Sequence, residues 1–277
     1  MPYFRTDDNA NLYYDAFGQG ERTLLFIHGW LDSGESFRRA AGELSRQCRV
    51  MMTSLSRPSS PKRRGHGRSD APAEGYNMTR LASDLRCLIE LLELQNLTLV
   101  GYSMGAHVVY EYIRLFGEDG LDKLVITAMS PCLVNEKRPE LSLGGGLTWR
   151  GALERLGATN RYFEENCKVA YLHYLRGHKP NEQLRNYYEA ASHLSSGAML
   201  RLELAMYAAD YWGVLSAITR PTLVISSEED FYPRAVHEEQ ARLIPNAKAI
   251  ILPGCGHMLL YEQPEAYTQL LREFVSA

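Results

Sequence analysis

Short aliphatic and β-branched runs alternate along the chain with longer stretches in which apolar residues recur every three or four positions. The runs are Thr23 to His28, Arg49 to Leu55, Leu97 to Gly101, Lys123 to Met129, Thr222 to Ser227 and Ala249 to Leu252. None has the polar alternation of a half-exposed strand. Each therefore predicts a buried strand, as in a sheet whose crossovers lay helices over both faces. The expected fold class is α/β, with a mostly parallel central sheet flanked by helices.

The intervening stretches read as those helices. Thr79 is the expected N-cap of one whose Leu81, Leu85, Leu88, Ile89 and Leu92 share a face. Ser103 to Phe116 forms another, with Val108, Val109, Tyr112, Ile113 and Phe116 inward and Gly117 as its stop. A third follows Pro264, with Tyr267, Leu270, Leu271 and Phe274 on its apolar side. Between about Pro131 and Leu215 the alternation stops. That Tyr-rich segment has helical pieces at Leu184 to Leu194 and Ala198 to Tyr211 and no clear strand. It is read as a helical lid (131–215) inserted into a core formed by 1–130 and 216–277, the alternative being further helices of the main layer. Ser56 to Arg64, rich in Pro, Ser and basic residues, predicts a loop. Its Arg57, Lys62, Arg63 and Arg64 are read as a solvated insertion in preference to an anion or partner site.

The charge balance narrows the partners. A net charge of −3 without a long single-sign run gives no electrostatic case for nucleic acid or an anionic membrane. No apolar run reaches membrane-spanning length, and the first residues lack the pattern of an export signal. Five scattered cysteines, Cys48, Cys87, Cys132, Cys167 and Cys255, are odd in number and never at metal-ligand spacing. They are expected to be reduced thiols in a cytoplasmic protein that needs no cofactor or metal. The expected partner is a small, near-neutral molecule, and nothing in the sequence fixes an oligomeric state.

Candidate chemistry begins at Gly101-Tyr102-Ser103-Met104-Gly105, directly after one apolar run and directly before a helical pattern. A serine on such a strand-to-helix turn is lifted clear of the backbone beside a helix N-terminus, and the flanking glycines leave room for the turn. Its hydroxyl needs a base, and His257 stands on the Gly-rich loop Gly254-Cys255-Gly256-His257 after the last strand. His107 is read as a packed helix residue, His173, His178 and His193 as lid residues, His237 as part of an exposed helix, and His28 as an orienting hydrogen-bond partner. Cys255, two residues before His257, is read as loop filling, not as a nucleophile. The carboxylate that orients the base is sought in Glu228-Glu229-Asp230, after the strand ending at Ser227; Asp230 is the choice and Glu229 its rival. Donors for an oxyanion are expected from the backbone N–H groups of Met104 and Trp30, the latter in His28-Gly29-Trp30. Trp30, Tyr102, Met104, Phe231 and Met258 are candidates to line an apolar substrate pocket, with ordinary core as the alternative.

Five segments in order carry a resemblance: His28-Gly29-Trp30, Arg64-Gly65-His66-Gly67-Arg68-Ser69, Gly101 to Gly105, Pro221 to Ile225 leading to Asp230, and Gly254 to His257. The chain resembles the α/β-hydrolase superfamily over nearly its whole length, and is similar to its branch of aryl esterases, cofactor-free haloperoxidase-like perhydrolases and lactonases. The resemblance implies an α/β-hydrolase fold with a lid between the sixth and seventh strands and a Ser103, Asp230, His257 triad. The serine at the elbow argues against epoxide or carbon–halogen hydrolysis, which family members with an aspartate there perform. Two departures stand out. The insertion from Ser56 to Arg63 replaces a short Asp-containing link, leaving Ser54 or Lys62 near the expected Asp, and Ser227 stands where a glycine is usual. The expected reaction is hydrolysis of a small carboxylic ester or lactone through an acyl-enzyme. Carbon–carbon cleavage, lyase chemistry or cofactor-free oxygenation on the same site remains open, as does a ligand-binding receptor.

Overall fold

The computed structural model describes residues 3–53, 69–70, 72–165, 167 and 196–277. The basic loop at Ser56 to Arg64, the helix read at Leu184 to Leu194, and His173, His178 and His193 lie outside them. Eight strands form one sheet in the order β1-β2-β4-β3-β5-β6-β7-β8. They are β1 (Tyr3–Arg5), β2 (Asn11–Phe17), β3 (Thr23–Ile27), β4 (Arg49–Thr53), β5 (Leu97–Tyr102), β6 (Leu121–Thr127), β7 (Thr222–Ser227) and β8 (Ala247–Leu252). From β4 to β8 all neighbours are parallel, as the apolar runs imply.

Two strands at the N-terminal edge lie outside the apolar runs. β1 pairs antiparallel with β2, and β2 antiparallel with β4. β1 has three residues, and β2 carries Asn11 and Asp15 among its apolar residues, so neither gives a continuous apolar run. The opposite edge also differs from expectation. β8 begins at Ala247, two residues earlier than the apolar run, and is largely half-exposed, because an edge strand is covered less than a central one. The central strands β3, β5 and β7 are buried at every residue.

Two apolar layers sandwich the sheet. On one face α2 (Met78–Leu91) and α3 (Met104–Phe116) contribute Leu85, Leu88, Val108, Val109 and Tyr112. On the other, α1 (Arg38–Leu44) and the last helix (Pro264–Ser276) contribute Ala41, Leu44, Tyr267 and Leu271. Each fully buried Leu, Val or Phe stabilises the fold by about 1.5–3 kcal/mol relative to exposure, so these layers are the main favourable term. The cap of α2 departs from expectation: Asn77, not Thr79, accepts the Arg80 N–H at 2.8 Å. Thr79 lies within the helix and donates its hydroxyl to Glu111 on α3 at 2.6 Å. Gly117 ends α3 as expected, at φ 72°.

Between β6 and β7 the described residues form two short 3-10 turns, α4 (Trp149–Arg161), α5 (Ser196–Ala208) and a further 3-10 turn at Trp212–Ala217. Among these residues β pairing is confined to one isolated bridge, Cys132 to Asp210. After β7 come α6 (Arg234–Leu243), and after β8 the short α7 (Leu259–Glu262) and α8 (Pro264–Ser276). Among the described residues no helix is long and apolar enough to cross a membrane.

Candidate active site

The carboxyl ends of β3, β5, β7 and β8 meet along one edge of the sheet, where open α/β sheets gather functional loops. β5 ends in Tyr102, and Ser103 follows at φ 51°, ψ −125°, in the left-handed half of conformational space that a side chain enters only under constraint. The constraints are visible. The Ser103 N–H donates to Thr127 O at 2.9 Å, and α3 begins with Met104. A Cβ on Gly101 would stand 2.7 Å from the Ala106 Cα, and one on Gly105 only 2.0 Å from Ile27 O. Both glycines are needed for the turn to pack between β3 and α3.

His257, on the loop after β8, reaches Ser103 Oγ with Nε2 at 3.1 Å and Asp230 Oδ1 with Nδ1 at 3.1 Å. The three residues that the sequence singled out are thus joined in one hydrogen-bonded line. Asp230 is buried and aimed at the histidine, whereas Glu228 and Glu229 are exposed. Burial alone would raise the Asp230 carboxyl. The charge of His257 and its hydrogen bond outweigh burial, with His237 and the Tyr232 N–H adding to the effect, and hold the group below the usual range. It remains a carboxylate at neutral pH.

The histidine is held from several sides. The Tyr102 hydroxyl donates to His257 O at 3.0 Å, and its ring stacks at 5.5 Å from the imidazole. Phe231 lies 4.1 Å from the imidazole on centroids, and Tyr232 6.0 Å. Ser227, where the family resemblance leads one to expect a glycine, donates to Gly256 O at 2.6 Å, and Gly256 N–H donates to Glu262 at 3.0 Å. Tyr102 and Met258, read from the sequence as pocket lining, are both buried, and the Tyr102 hydroxyl also meets the Met258 sulfur at 3.5 Å. Their contacts fasten the histidine loop to the end of β5. Cys255 is fully buried, and desolvation pushes its thiol up to about 12, so it carries no thiolate at neutral pH.

The loop after β3 closes on the serine from the other side. A Cβ on Gly29 would lie 3.0 Å from the Ser103 Cβ, so glycine lets the backbone leading to Trp30 come this near without pressing on the serine. Asp32 braces the loop, accepting from Ser33 N–H at 2.6 Å and from the Ser36 hydroxyl at 2.9 Å. Leu31 takes φ 56°. The ring of His28 contacts Gly29 O at 2.8 Å, an orienting contact within the loop. The Trp30 indole N–H donates to Met199 O on α5 at 2.9 Å and ties the loop to the segment between β6 and β7. Met104 is the first residue of α3, so its N–H has no partner within the helix. Among the described residues no group of three or more His, Cys, Asp and Glu is placed to hold a metal ion.

Two further histidines correct or extend the sequence reading. His237 is not on an exposed face: it is 1% exposed, packed with Val236 and Gln240 on the inner side of α6. The charged neighbours Arg234, Glu238 and Glu239 mask that face in the sequence. His107 is buried as expected, with Nε2 donating to Ser130 O at 2.8 Å. Desolvation lowers both imidazoles to about 4. A group with a depressed folded-state pKa stabilises the fold fully above its unfolded value and loses that contribution as pH falls through the folded value. Urea unfolding at pH 7 and pH 5 should therefore show a loss of about 2 kcal/mol for each histidine, from an unfolded pKa of about 6.5. A stability unchanged between those two pH values would contradict their burial as neutral rings.

The chain matches the Alpha/beta hydrolase family over residues 24–270 and belongs to that family. It is 28% identical over 288 residues to a putative non-heme chloroperoxidase of Synechocystis, with 99% of this chain and 100% of the relative covered. It is 26% identical over 288 residues to the bifunctional esterase/perhydrolase DCH of Acinetobacter calcoaceticus, covering 99% of each. Among solved structures, the esterase EaEST of Exiguobacterium antarcticum superposes with a TM-score of 0.89 at 23% identity, covering 99% of each chain, and so shares its fold.

Proposed function

We propose that the protein is a serine hydrolase that cleaves a small, apolar carboxylic ester or lactone through an acyl-enzyme, with Ser103 as nucleophile, His257 as base and Asp230 as orienting acid. The observation that carries this reading is the continuous hydrogen-bonded line from Ser103 through His257 to Asp230, with both contacts at 3.1 Å. In the first step His257 Nε2 takes the Ser103 proton as Oγ attacks the carbonyl carbon, and the N–H groups of Met104 and Trp30 receive the oxyanion. Collapse expels the alkoxide, which takes the proton from His257, and water repeats the sequence to release the acid. A lactone leaves as a single hydroxy acid. Segment 131–215 acts as a lid, with Trp30 and Phe231 on the wall nearest Ser103. The name of the Acinetobacter relative supports ester chemistry, and five unpaired cysteines support a reducing compartment, the cytoplasm.

A panel of short and medium esters, lactones and thioesters tests the reading. The expected result is turnover of apolar esters or lactones, with one equivalent of acid formed per bond cleaved. Fluorophosphonate labelling of Ser103 without turnover of any panel member would overturn it, and oxygen-dependent turnover would favour cofactor-free oxygenation.

A further inference from the structure

Behind Asp230 lies a buried histidine that the cycle above does not use. His237 Nε2 stands 2.7 Å from Ser226 Oγ, and that hydroxyl stands 3.3 Å from Asp230 Oδ2. Ser226 is fully buried near the end of β7. The two oxygens of the carboxylate therefore serve different neighbours. Oδ1 meets His257 at 3.1 Å and the Tyr232 N–H at 3.4 Å, while Oδ2 meets Ser226.

Counting hydrogens fixes the direction of this chain. Ser226 has one hydroxyl hydrogen, and a neutral imidazole has one N–H. Among the described residues, His237 Nδ1 is buried without a hydrogen-bond partner. A proton on Nδ1 would bury a donor with nothing to receive it, and the Ser226 hydrogen would then be drawn to Nε2 and away from Oδ2. A proton on Nε2 lets His237 donate to Ser226 Oγ and Ser226 donate to Asp230 Oδ2. Only a bare lone pair is then left unmatched, which costs less than an unmatched donor beside an unsupported carboxylate. Burial keeps the ring neutral, at about 4, with Asp230 opposing that shift and His257 adding to it. Among the described residues, the titratable groups facing His237 are Asp230 and Tyr232 from the loop after β7 and His257 from the loop after β8.

We propose that His237 and Ser226 are positioning residues that hold Asp230 Oδ2 through two successive hydrogen bonds, keeping Oδ1 aligned on His257 and limiting the carboxylate's basicity. The proposal rests on the serine-hydrolase reading of the site. Removing the Ser226 hydroxyl strips Oδ2 of its donor, so the carboxylate becomes more basic and stabilises the His257 imidazolium more strongly. The acidic limb of the pH profile then moves upward. The carboxylate also gains rotational freedom, which slows the chemical step while leaving substrate binding unchanged.

The test uses Ser226→Ala, His237→Leu and His237→Gln in the full chain, with the rate of Ser103 phosphonylation by a fluorophosphonate followed across pH. In Ser226→Ala and His237→Leu the acidic limb should rise by about half a pH unit or more and the plateau rate should fall about tenfold. For the preferred ester of the panel, kcat should fall with KM unchanged. His237→Gln places an amide N–H near the position of Nε2 and should keep the wild-type profile. An unmoved limb in Ser226→Ala, or a Gln variant indistinguishable from the Leu variant, would overturn the proposal. If His237→Leu does not fold, Ser226→Ala carries the test alone, since it deletes a single oxygen. The downfield proton NMR signal of His257 Nδ1–H should also move in Ser226→Ala, and a signal unmoved by that change counts against the relay. This last measurement needs no turnover, so absence of phosphonylation in wild type would sink the hydrolase reading and leave the relay independently testable.

Discussion

Ser103→Ala should leave a folded protein that fluorophosphonate no longer labels and whose ester turnover is lower by about 10⁶-fold. Alanine keeps the Cβ that already sits at φ 51°, so the turn is no more strained than before. The lost oxygen contacts His257, not a structural partner in the core, so thermal stability should change by less than about 1 kcal/mol. The N–H groups of Met104 and Trp30, proposed above as the oxyanion donors, remain, and their preorganisation should sustain a residual rate about 10³-fold or more above water. Intact-mass analysis after labelling, beside a thermal melt, checks both halves of the expectation. A folded Ser103→Ala protein labelled as readily as wild type would remove Ser103 from the mechanism.

Gly105→Ala should have the largest effect on stability. Its Cβ would stand 2.0 Å from Ile27 O, 2.7 Å from Ile27 C and 2.9 Å from His28 O. All three are backbone atoms of β3 and the loop that follows it, so no side chain can swing aside. Helix α3 must instead move away from the sheet, at an expected cost on the order of 3–5 kcal/mol. Ser103 and Met104 ride on that helix, so the fraction that still folds should also turn over slowly. Gly157→Ala is the control. It lies exposed in α4 with nothing within 4 Å of an added Cβ, and should stabilise by about 0.5–1 kcal/mol through helix propensity. Equal urea midpoints for Gly105→Ala and wild type would contradict the close approach of α3 to β3.

The parts of the molecule legible in the sequence are those whose signal is local. Continuous apolar runs gave away β3 to β7 because parallel central strands are covered on both faces, and the strand-to-helix junction at Ser103 could be read from glycines on either side. The N-terminal hairpin leaves no such signal, because β1 is three residues long and edge strands need not be apolar throughout. The sequence narrows the acid to the cluster Glu228-Glu229-Asp230, with Asp230 the choice and Glu229 its rival. Burial separates them, and burial depends on how the loop after β7 packs on the loop after β8. The sequence leaves His237 looking exposed, because one histidine among Arg234, Glu238 and Glu239 does not reveal which side of a helix faces the sheet. Thr79 looked like a cap because threonine favours that position. Its actual partner, Glu111, lies on another helix 32 residues away.

The hydrogen bond from the Trp30 indole to Met199 O joins the loop beside Ser103 to helix α5. Reshaping α5 to alter the proposed substrate pocket would therefore disturb the backbone that leads into Trp30, the proposed oxyanion donor. Directed evolution of this protein should vary the two segments together: a library confined to α5 will trade selectivity against turnover, while paired libraries let the donor geometry be restored around each new cavity.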